Sequence, residues 1–311
     1  MGAEYSHEPV LATEVVALLE PGCGTWIDGT LGGGGHAELL LRADPDLVLI
    51  GVDRDPDAVA AAARRLDGYT DRVTLVEGNF RDIANIAASG SEAGTVQGAL
   101  LDLGVSSHQL DLQARGFSFR RSTPLDMRMG GTAGGGRTAA DVLNSESEAE
   151  LGRIFRVFGE ERRWRRLARE VVKRRSTAPF QTSDDFVAAC TTALGPGLSA
   201  GIKARLFQAL RIAVNDELGA LDEVLPALRD RLDSGGRMAV ISYHSLEDRI
   251  VKNAFREWSQ ACVCPPGLPV CRCRGKSLGT TLTRKPIRPS QDETSRNPRS
   301  RSARLRGWRR A

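Results

Sequence analysis

The sequence predicts an α/β protein with a doubly wound parallel sheet that a helical insertion interrupts. Short apolar segments alternate with helical segments over the first hundred residues, which is typical of a parallel sheet covered by helices. From Ala139 to about Thr192 the hydrophobic period is helical and contains no strand candidate. Strand candidates return at Gly236. A chain of 311 residues is long enough for about two domains.

Each predicted element follows from a change in hydrophobic period. Short apolar segments predict six strands, at Thr25–Asp28, Leu47–Val52, Val73–Val76, Gly98–Leu103, Gly236–Ser242 and Thr280–Lys285. Alanine-rich or amphipathic segments predict helices at Ala37–Arg42, Asp57–Leu66 and Lys203–Leu221. Residues 111–136, rich in Arg, Gly, Ser and Met, predict a mobile loop. The predicted parts are a core at 1–110, a helical insertion at 111–203 that recognises RNA, and a second core part at 204–311 with a basic C-terminal tail.

Composition is that of a globular protein inside the cell. The 41% hydrophobic and 26% charged residues are ordinary for a globular domain. No apolar run approaches the ~20 residues of a membrane helix. The polar start, with Glu4, His7 and Glu8, lacks the pattern of a secretory signal. We therefore expect a soluble cytoplasmic protein with no membrane partner.

Positive charge is concentrated in two segments. Arg274–Ala311 contains ten Arg and two Lys against one Asp and one Glu, a net charge of +10, although the whole chain carries only +4. Arg153–Arg175 contains ten basic side chains interleaved with Phe155, Phe158 and Trp164. We expect these three aromatic side chains to lie in the core. Such segments favour a nucleic-acid partner. A solvated surface would show the same composition, so composition alone leaves both interpretations open.

Four of the six cysteines are close together in sequence, at Cys262, Cys264, Cys271 and Cys273. Two pairs joined by a Pro/Gly turn can supply four thiolates to a zinc ion. However, the two cysteines of a pair are separated by only one residue, and we expect each pair to need a bent backbone to bring both thiolates to one ion. The spacing also differs from the two to four residues usual in zinc knuckles, so the sequence favours reduced thiols in a hairpin and no metal site is assigned.

The glycine-rich run at residues 29–35 lies between a predicted strand and a predicted helix, where glycine lets the backbone approach a ligand closely. Asp53 ends the next strand, about 20 residues on, where a carboxylate can accept both ribose hydroxyls of a nucleotide. This pairing favours an adenosine-bearing cofactor and leaves NAD and S-adenosylmethionine open. His36 and Asp102 offer the mixed polar contacts that the methyl donor needs, and Asp102 ends the fourth strand beside the expected switch point of the sheet.

Ten motifs resemble, in order, those of the MraW/RsmH family, and together they extend over essentially the whole chain. They are His7–Leu11, Asp28–His36, Gly51–Pro56, Leu101–Ser107, Arg115–Phe119, Leu125–Met129, Phe207–Ile212, Val214–Leu218, Tyr243–Arg249 and Asn297–Ser300. The resemblance implies a Rossmann-like class I methyltransferase fold and S-adenosylmethionine-dependent N4-methylation of a cytosine in the decoding centre of 16S ribosomal RNA. The implied partner is 16S rRNA in the small ribosomal subunit or a late assembly intermediate, in the bacterial cytoplasm. A homodimer is one oligomeric state that the sequence leaves open.

The resemblance also assigns cofactor contacts by motif. These are Gly34, Gly35, His36, Asp53, Phe80, Asp102 and Gln109. Phe80 follows the third predicted strand and fits a ring that packs on adenine. The residue before Gln109 is His108, where the family usually has proline, so this turn departs from the pattern.

Methylation of an amine needs a proton acceptor close to the nitrogen, because the product sheds a proton after attack. Asp102 is the first candidate acceptor. Tyr243 and His244, with Ser242, follow the fifth strand and are candidates for the base pocket, where an aromatic ring can stack on a flipped cytosine. Asp126 and Arg128 lie in the loop expected to close the site.

Two other function classes compete with this interpretation. A NAD-dependent oxidoreductase would use the same first half, but the insertion replaces its second mononucleotide-binding half. A non-enzymatic RNA-binding protein would explain the basic segments but not Asp53 in register with the glycine run. Equilibrium binding of S-adenosylmethionine against NAD separates the three.

Overall fold

A computed structural model describes residues 9–90, 94–106, 112–132, 134–265, 270 and 272–311. The chain divides into two units, of which the first combines Met1–Gly104 with Gly219–Ala311 and the second is Val105–Leu218. No helix within the described residues is long and apolar enough to cross a membrane.

The first unit is built on a seven-stranded sheet with the order β3-β2-β1-β4-β5-β7-β6. Its strands are β1 Gly24–Asp28, β2 Leu47–Asp53, β3 Val73–Glu77, β4 Val96–Asp102, β5 Leu232–Ser242, β6 Gly279–Thr281 and β7 Arg304–Arg310. Strands β1 to β5 pair in parallel, and β7 is antiparallel to both of its neighbours. The predicted fold class, an α/β doubly wound Rossmann-like sheet with a helical insertion, is confirmed.

Helices cover both faces of this sheet. They are α1 Ala12–Leu19, α2 Gly35–Ala43, α3 Pro56–Arg65, α4 Ile83–Gly90, α10 Glu217–Arg231, α11 Ser245–Trp258 and α12 Gln291–Arg296. Trp26 and Ile27, neighbours on β1, belong to opposite apolar layers, because successive strand residues point to opposite faces. Helices α1 to α3 pack on the Trp26 side, and α4, α10 and α11 pack on the Ile27 side.

The second unit is helical. Its helices are α5 Ala139–Ser145, α6 Glu148–Arg153, α7 Trp164–Arg175, α8 Ser183–Leu194 and α9 Ala200–Asn215, with a π-helical turn at Ile154–Phe158. Phe186 lies at the centre of the core, with ring centroids 5.9 Å from Phe155 and 5.4 Å from Phe207. The expectation that Phe155 lies in the core is confirmed, since its side chain is fully buried.

The loop predicted to be mobile packs on this helical core over its described part. Leu125 and Met127 are buried in the core. The Asn215 side chain donates to Met127 O at 2.8 Å and accepts from Met129 N–H at 2.9 Å. The loop is therefore held against the end of α9, contrary to the prediction from its glycine content.

The helix predicted at Lys203–Leu221 is two helices. Helix α9 ends at Asn215, and Asp216 adopts a left-handed conformation with φ 48° before α10 begins. Leu206 and Leu210 pack in the second unit, whereas Leu221 packs in the first. The apolar period continues across the break, which is why it predicts one helix. The second unit accordingly begins before residue 111 and ends after residue 203.

The prediction of a basic C-terminal tail is wrong for residues 304–310. These residues form β7, which pairs with β5 and β6. Arg304 and Arg306 lie two residues apart and therefore project from the same face of the strand. Both reach Asp248 in the first turn of α11, with Arg304 Nη1 to Asp248 Oδ2 at 3.0 Å and Arg306 Nε to Asp248 Oδ1 at 2.7 Å. Leu305 and Trp308 are both fully buried and belong to opposite apolar layers of the sheet, as expected for a strand covered on both faces.

Candidate active site

Three aspartates end three neighbouring strands of the sheet. Asp28, Asp53 and Asp102 are the last residues of β1, β2 and β4, which lie side by side in the order β2-β1-β4. The carboxyl ends of parallel strands meet at one edge, and the strand order reverses between β1 and β4, where ligands of doubly wound sheets bind. Asp53 and Asp102 are site residues predicted from the sequence, whereas Asp28 is not, although it also ends a predicted strand.

The glycine run joins β1 to α2 and passes over the end of β2. Gly32 N–H donates to Asp53 Oδ2 at 2.8 Å, and Asp55 N–H donates to Asp53 Oδ1 at 2.9 Å. Burial raises the pKa of Asp53, and these two backbone hydrogen bonds oppose that rise. Each carboxylate oxygen keeps a further lone pair, so Asp53 retains acceptor capacity for ribose hydroxyls.

Gly34 and Gly35 begin helix α2. Gly34 has φ 78°, and a Cβ there would lie 3.3 Å from the Ala62 Cβ of α3. A side chain at Gly34 would therefore be strained in conformation and crowded against α3. The turn places the first backbone N–H groups of α2 after the glycine run, where a helix N-terminus favours negatively charged groups.

Asp102 has three contacts that fix its position. Tyr243 Oη donates to Asp102 Oδ1 at 2.9 Å, and the backbone N–H of Asp102 donates to Thr30 Oγ1 at 2.5 Å. The other carboxyl oxygen, Oδ2, lies 3.6 Å from His36 Nδ1. Burial raises the pKa of Asp102 to about 7, although the Tyr243 hydrogen bond acts in the opposite direction. Asp102 can therefore take up or release a proton near neutral pH.

His36 is buried in the first turn of α2, and its two ring nitrogens have different surroundings. Nε2 lies 2.9 Å from the carbonyl oxygen of Val10. Because a carbonyl oxygen only accepts, Nε2 carries the proton. Burial lowers the pKa of His36, which favours the neutral ring. The lone pair of Nδ1 therefore faces Asp102 Oδ2.

Asp28 is the buried carboxyl group that remains incompletely satisfied. Its Oδ1 accepts from Thr30 N–H at 3.1 Å, while Oδ2 has no hydrogen-bond partner among the described residues. Burial raises the pKa of Asp28 to about 6. A buried oxygen in this state at the ligand edge of the sheet fits a polar ligand group that completes its hydrogen bonding.

Tyr243 is the residue after β5 that the structure brings to Asp102. His244 is instead the N-cap of α11: its Nδ1 accepts from Glu247 N–H at 3.4 Å, and its Nε2 lies 3.1 Å from Glu247 Oε1. Glu247 in turn accepts from the backbone N–H of Tyr243 at 2.9 Å. Ser242 is buried, with its Oγ 3.4 Å from Arg304 O. Glu247 was not selected from the sequence, although His244-x-x-Glu247 has the spacing of a capping box.

The remaining predicted residues are placed less directly. Phe80 opens a short 3-10 helix after β3 and packs on the apolar layer that contains Ile27. Gly78, two residues before it, donates its backbone N–H to Asp53 O at 2.9 Å. Gln109 lies outside the described residues. Asp126 and Arg128 form an ion pair within the second unit, with Arg128 Nη2 2.7 Å from Asp126 Oδ2.

The edge formed by Asp28, Asp53 and Asp102 fits an adenosylated amino acid. Asp53 offers acceptors for vicinal hydroxyls, and the incompletely satisfied Asp28 and the neutral His36 offer polar partners for a zwitterionic end.

The chain is similar over nearly its whole length to proteins of one family. The model of the MraW methylase family matches residues 4–311. "Ribosomal RNA small subunit methyltransferase H" of Gemmatimonas aurantiaca is 51% identical over 98% of this chain and 95% of that protein. The proteins of the same name from Heliobacterium mobile and Syntrophotalea carbinolica are 49% and 50% identical, over 97% and 98% of this chain and 98% of each relative. The chain belongs to the MraW methylase family.

Proposed function

We propose that this chain transfers the methyl group of S-adenosylmethionine to N4 of a cytosine in the decoding centre of 16S rRNA, within a small ribosomal subunit or a late assembly intermediate in the cytoplasm. Relatives about half identical over nearly their full length are named as small-subunit rRNA methyltransferases, which supports the substrate class. The observation that carries the chemistry is Asp102, a partly buried carboxyl group with a pKa of about 7 at the switch point of the sheet.

Methyl transfer to an exocyclic amine asks the protein mainly for position and for a proton acceptor. S-adenosylmethionine supplies an electrophilic methyl group when bound, and in-line attack needs both reactants held in register. The N4 lone pair of cytosine is delocalised into the ring, so an acceptor on the amine hydrogens makes N4 a better nucleophile. Ionised Asp102 can accept one of these hydrogens at Oδ2 and take the proton after attack.

Tyr243 and His36 position that acceptor. The Tyr243 hydroxyl holds Oδ1, which leaves Oδ2 as the oxygen free to turn toward the amine. His36 is fixed through Nε2 by Val10 O and keeps its unprotonated Nδ1 beside Oδ2. Since neutral His36 does not compete as an acid, the carboxylate of Asp102 stays available as a base.

The second unit supplies the proposed RNA surface. Arg165, Arg166 and Arg169 are exposed on helix α7, and Arg165 also lies over the Trp164 ring with its guanidinium carbon 4.3 Å from the ring centroid. Exposed arginines bind phosphates spread over a folded RNA. Alanine substitution of these three arginines should flatten the salt dependence of RNA binding without altering affinity for S-adenosylmethionine.

The test is methyl transfer from labelled S-adenosylmethionine to small subunits that lack the modification, with the product mapped by mass spectrometry. We expect N4-methylcytosine in the rRNA and slower reaction on short naked RNA, and equal rates on DNA and on the subunit would refute the proposal. The variant Asp102→Asn keeps the shape but loses the negative charge that takes up the proton, and we expect kcat to fall about 10²–10⁴-fold. Asp46→Asn, exposed before β2 at the opposite edge of the sheet, is the matched control and should retain full activity.

A further inference from the structure

Three cysteine side chains converge after the end of helix α11. The Sγ atoms of Cys262, Cys264 and Cys273 all lie within 4.8 Å of one another. The backbone bends at residues 261, 264 and 273, so the chain is not extended through this segment. The bends at residues 261 and 264 supply the bent backbone that we expected the pair Cys262 and Cys264 to need. Cys271 lies outside the described residues.

This geometry matches a thiolate site for a soft divalent cation. A Zn–S bond of about 2.3 Å in tetrahedral coordination separates neighbouring sulfur atoms by about 3.8 Å. The Val263 N–H donates to Cys273 Sγ at 3.3 Å, and a backbone donor at sulfur stabilises the negative charge of a thiolate. A disulfide would use two of the three sulfur atoms and leave the third without a reason to lie there.

The described residues around these cysteines bury little apolar surface of their own. None of the described residues between Trp258 and Gly279 lies in a helix or strand. Val263 and Val270 are 40% and 67% exposed, and Leu278 packs on the apolar layer of the first unit. Small segments without enough buried apolar surface are commonly held by a metal or by disulfides.

Both ends of the segment are nevertheless fixed to the first unit. Arg274 Nη1 lies 2.8 Å from Glu257 Oε1, and Arg274 Nη2 donates to Gln260 O at 3.0 Å. Leu278 N–H donates to Trp258 O at 2.8 Å, immediately before β6. The three cysteines therefore lie between two anchored ends, and one cross-link at the three sulfur atoms would join residues 262–264 to residue 273.

We propose that Cys262, Cys264 and Cys273 bind one Zn²⁺ ion as thiolates and that this ion orders the loop between α11 and β6. Each thiol that binds releases its proton to solvent, and no electron is transferred. The site is structural and is separate from the residues that end β1, β2 and β4.

The test is the metal content of protein purified without an affinity tag under reducing conditions. We expect about one zinc ion per chain in the wild type and at least a tenfold loss in Cys264→Ser and Cys273→Ser. Cys23→Ser is the matched control, because Cys23 is exposed and lies before β1, and it should keep its zinc.

A second measurement on the wild type does not depend on whether the variants fold. After zinc is removed with a chelator, added Co²⁺ should give thiolate-to-cobalt charge-transfer absorption and the visible bands of tetrahedral cobalt. Wild-type protein that contains no zinc and gives no such spectrum would overturn the proposal. So would peptide mass spectrometry that finds a disulfide between any two of these cysteines in protein purified anaerobically.

Discussion

Removing the Tyr243 hydroxyl should shift the pH dependence of methyl transfer. Tyr243→Phe deletes the donor 2.9 Å from Asp102 Oδ1 and keeps the ring, whose Cδ2 lies close to the backbone of Gly104. The hydrogen bond stabilises the ionised form of Asp102 and so holds its pKa down against burial. Without it the pKa of Asp102 rises.

The size of the effect follows from the energy of one hydrogen bond to a charged group. Such a bond contributes about 1.5–3 kcal/mol, and ~1.4 kcal/mol moves a pKa by one pH unit, so the pKa rises by about one to two pH units. At pH 7 the wild-type carboxyl group is about half ionised, because its pKa is about 7. In the variant about a tenth to a hundredth is ionised, so kcat at pH 7 falls about five- to fiftyfold.

The assay measures kcat from about pH 6 to about pH 9.5, a range that spans the pKa of Asp102 in both proteins, with S-adenosylmethionine and RNA substrate both saturating. The rising limb of the variant should move to higher pH and approach the wild-type plateau, because Asp102 ionises fully above both pKa values. Tyr69→Phe is the control, since the Tyr69 hydroxyl accepts from Arg42 Nε at 3.3 Å and is not bonded to Asp102. If the rising limb of the kcat profile stays at the same pH in Tyr243→Phe, the role of Asp102 as the proton acceptor is refuted. If Tyr243→Phe is more active than the wild type at pH 7, the protonated form of Asp102 is the reactive one.

Three further predictions test the other parts of the structure. Asp53→Ala should raise the KM for S-adenosylmethionine about ten- to hundredfold in steady-state assays and change kcat little, because its hydrogen bonds lie away from the transferred group; a fall in kcat alone would contradict this. Burial raises the pKa of Asp28 from 3.8 to about 6 in the folded chain, so the folded state loses stability as the pH rises from 3.8 to 6. In thermal unfolding, Asp28→Asn should therefore raise Tm more at pH 8 than at pH 4. An equal gain in Tm at both pH values would refute the pKa assignment of Asp28. Arg306→Ala removes one partner of buried Asp248 and should cost about 1–3 kcal/mol of unfolding free energy by urea titration, whereas exposed Arg301→Ala should cost nothing measurable.

Local patterns in the sequence predicted the sheet and the edge where the site lies. A buried strand followed by aspartate predicts both the strand and a carboxyl group at its end, which is why the sequence alone predicts that Asp53 and Asp102 lie at this edge. The same rule applies to Asp28, whose importance depends on a missing hydrogen-bond partner that no sequence pattern reveals. His244 illustrates the reverse case, because a polar aromatic residue after a strand suits a base pocket and a helix N-cap equally well.

The remaining errors have physical causes of the same kind. A helix break at Asp216 leaves the apolar period intact, so periodicity alone cannot locate it. The strand at β7 carries arginines whose partners come from a distant helix, and a count of charges reads such a strand as a solvated tail. Pairing between residues far apart in sequence decides both outcomes.

The position of β7 between β5 and β6 has a consequence for the order in which the chain folds during synthesis. Until residues 304–310 have been made, β5 is paired with β4 on one side only, and its other edge presents unpaired backbone groups. Exposed edges of apolar strands recruit other chains. A ribosome-bound chain that ends before residue 304 should therefore depend on chaperones, and premature termination there should yield aggregates although almost every helix of the fold is already encoded.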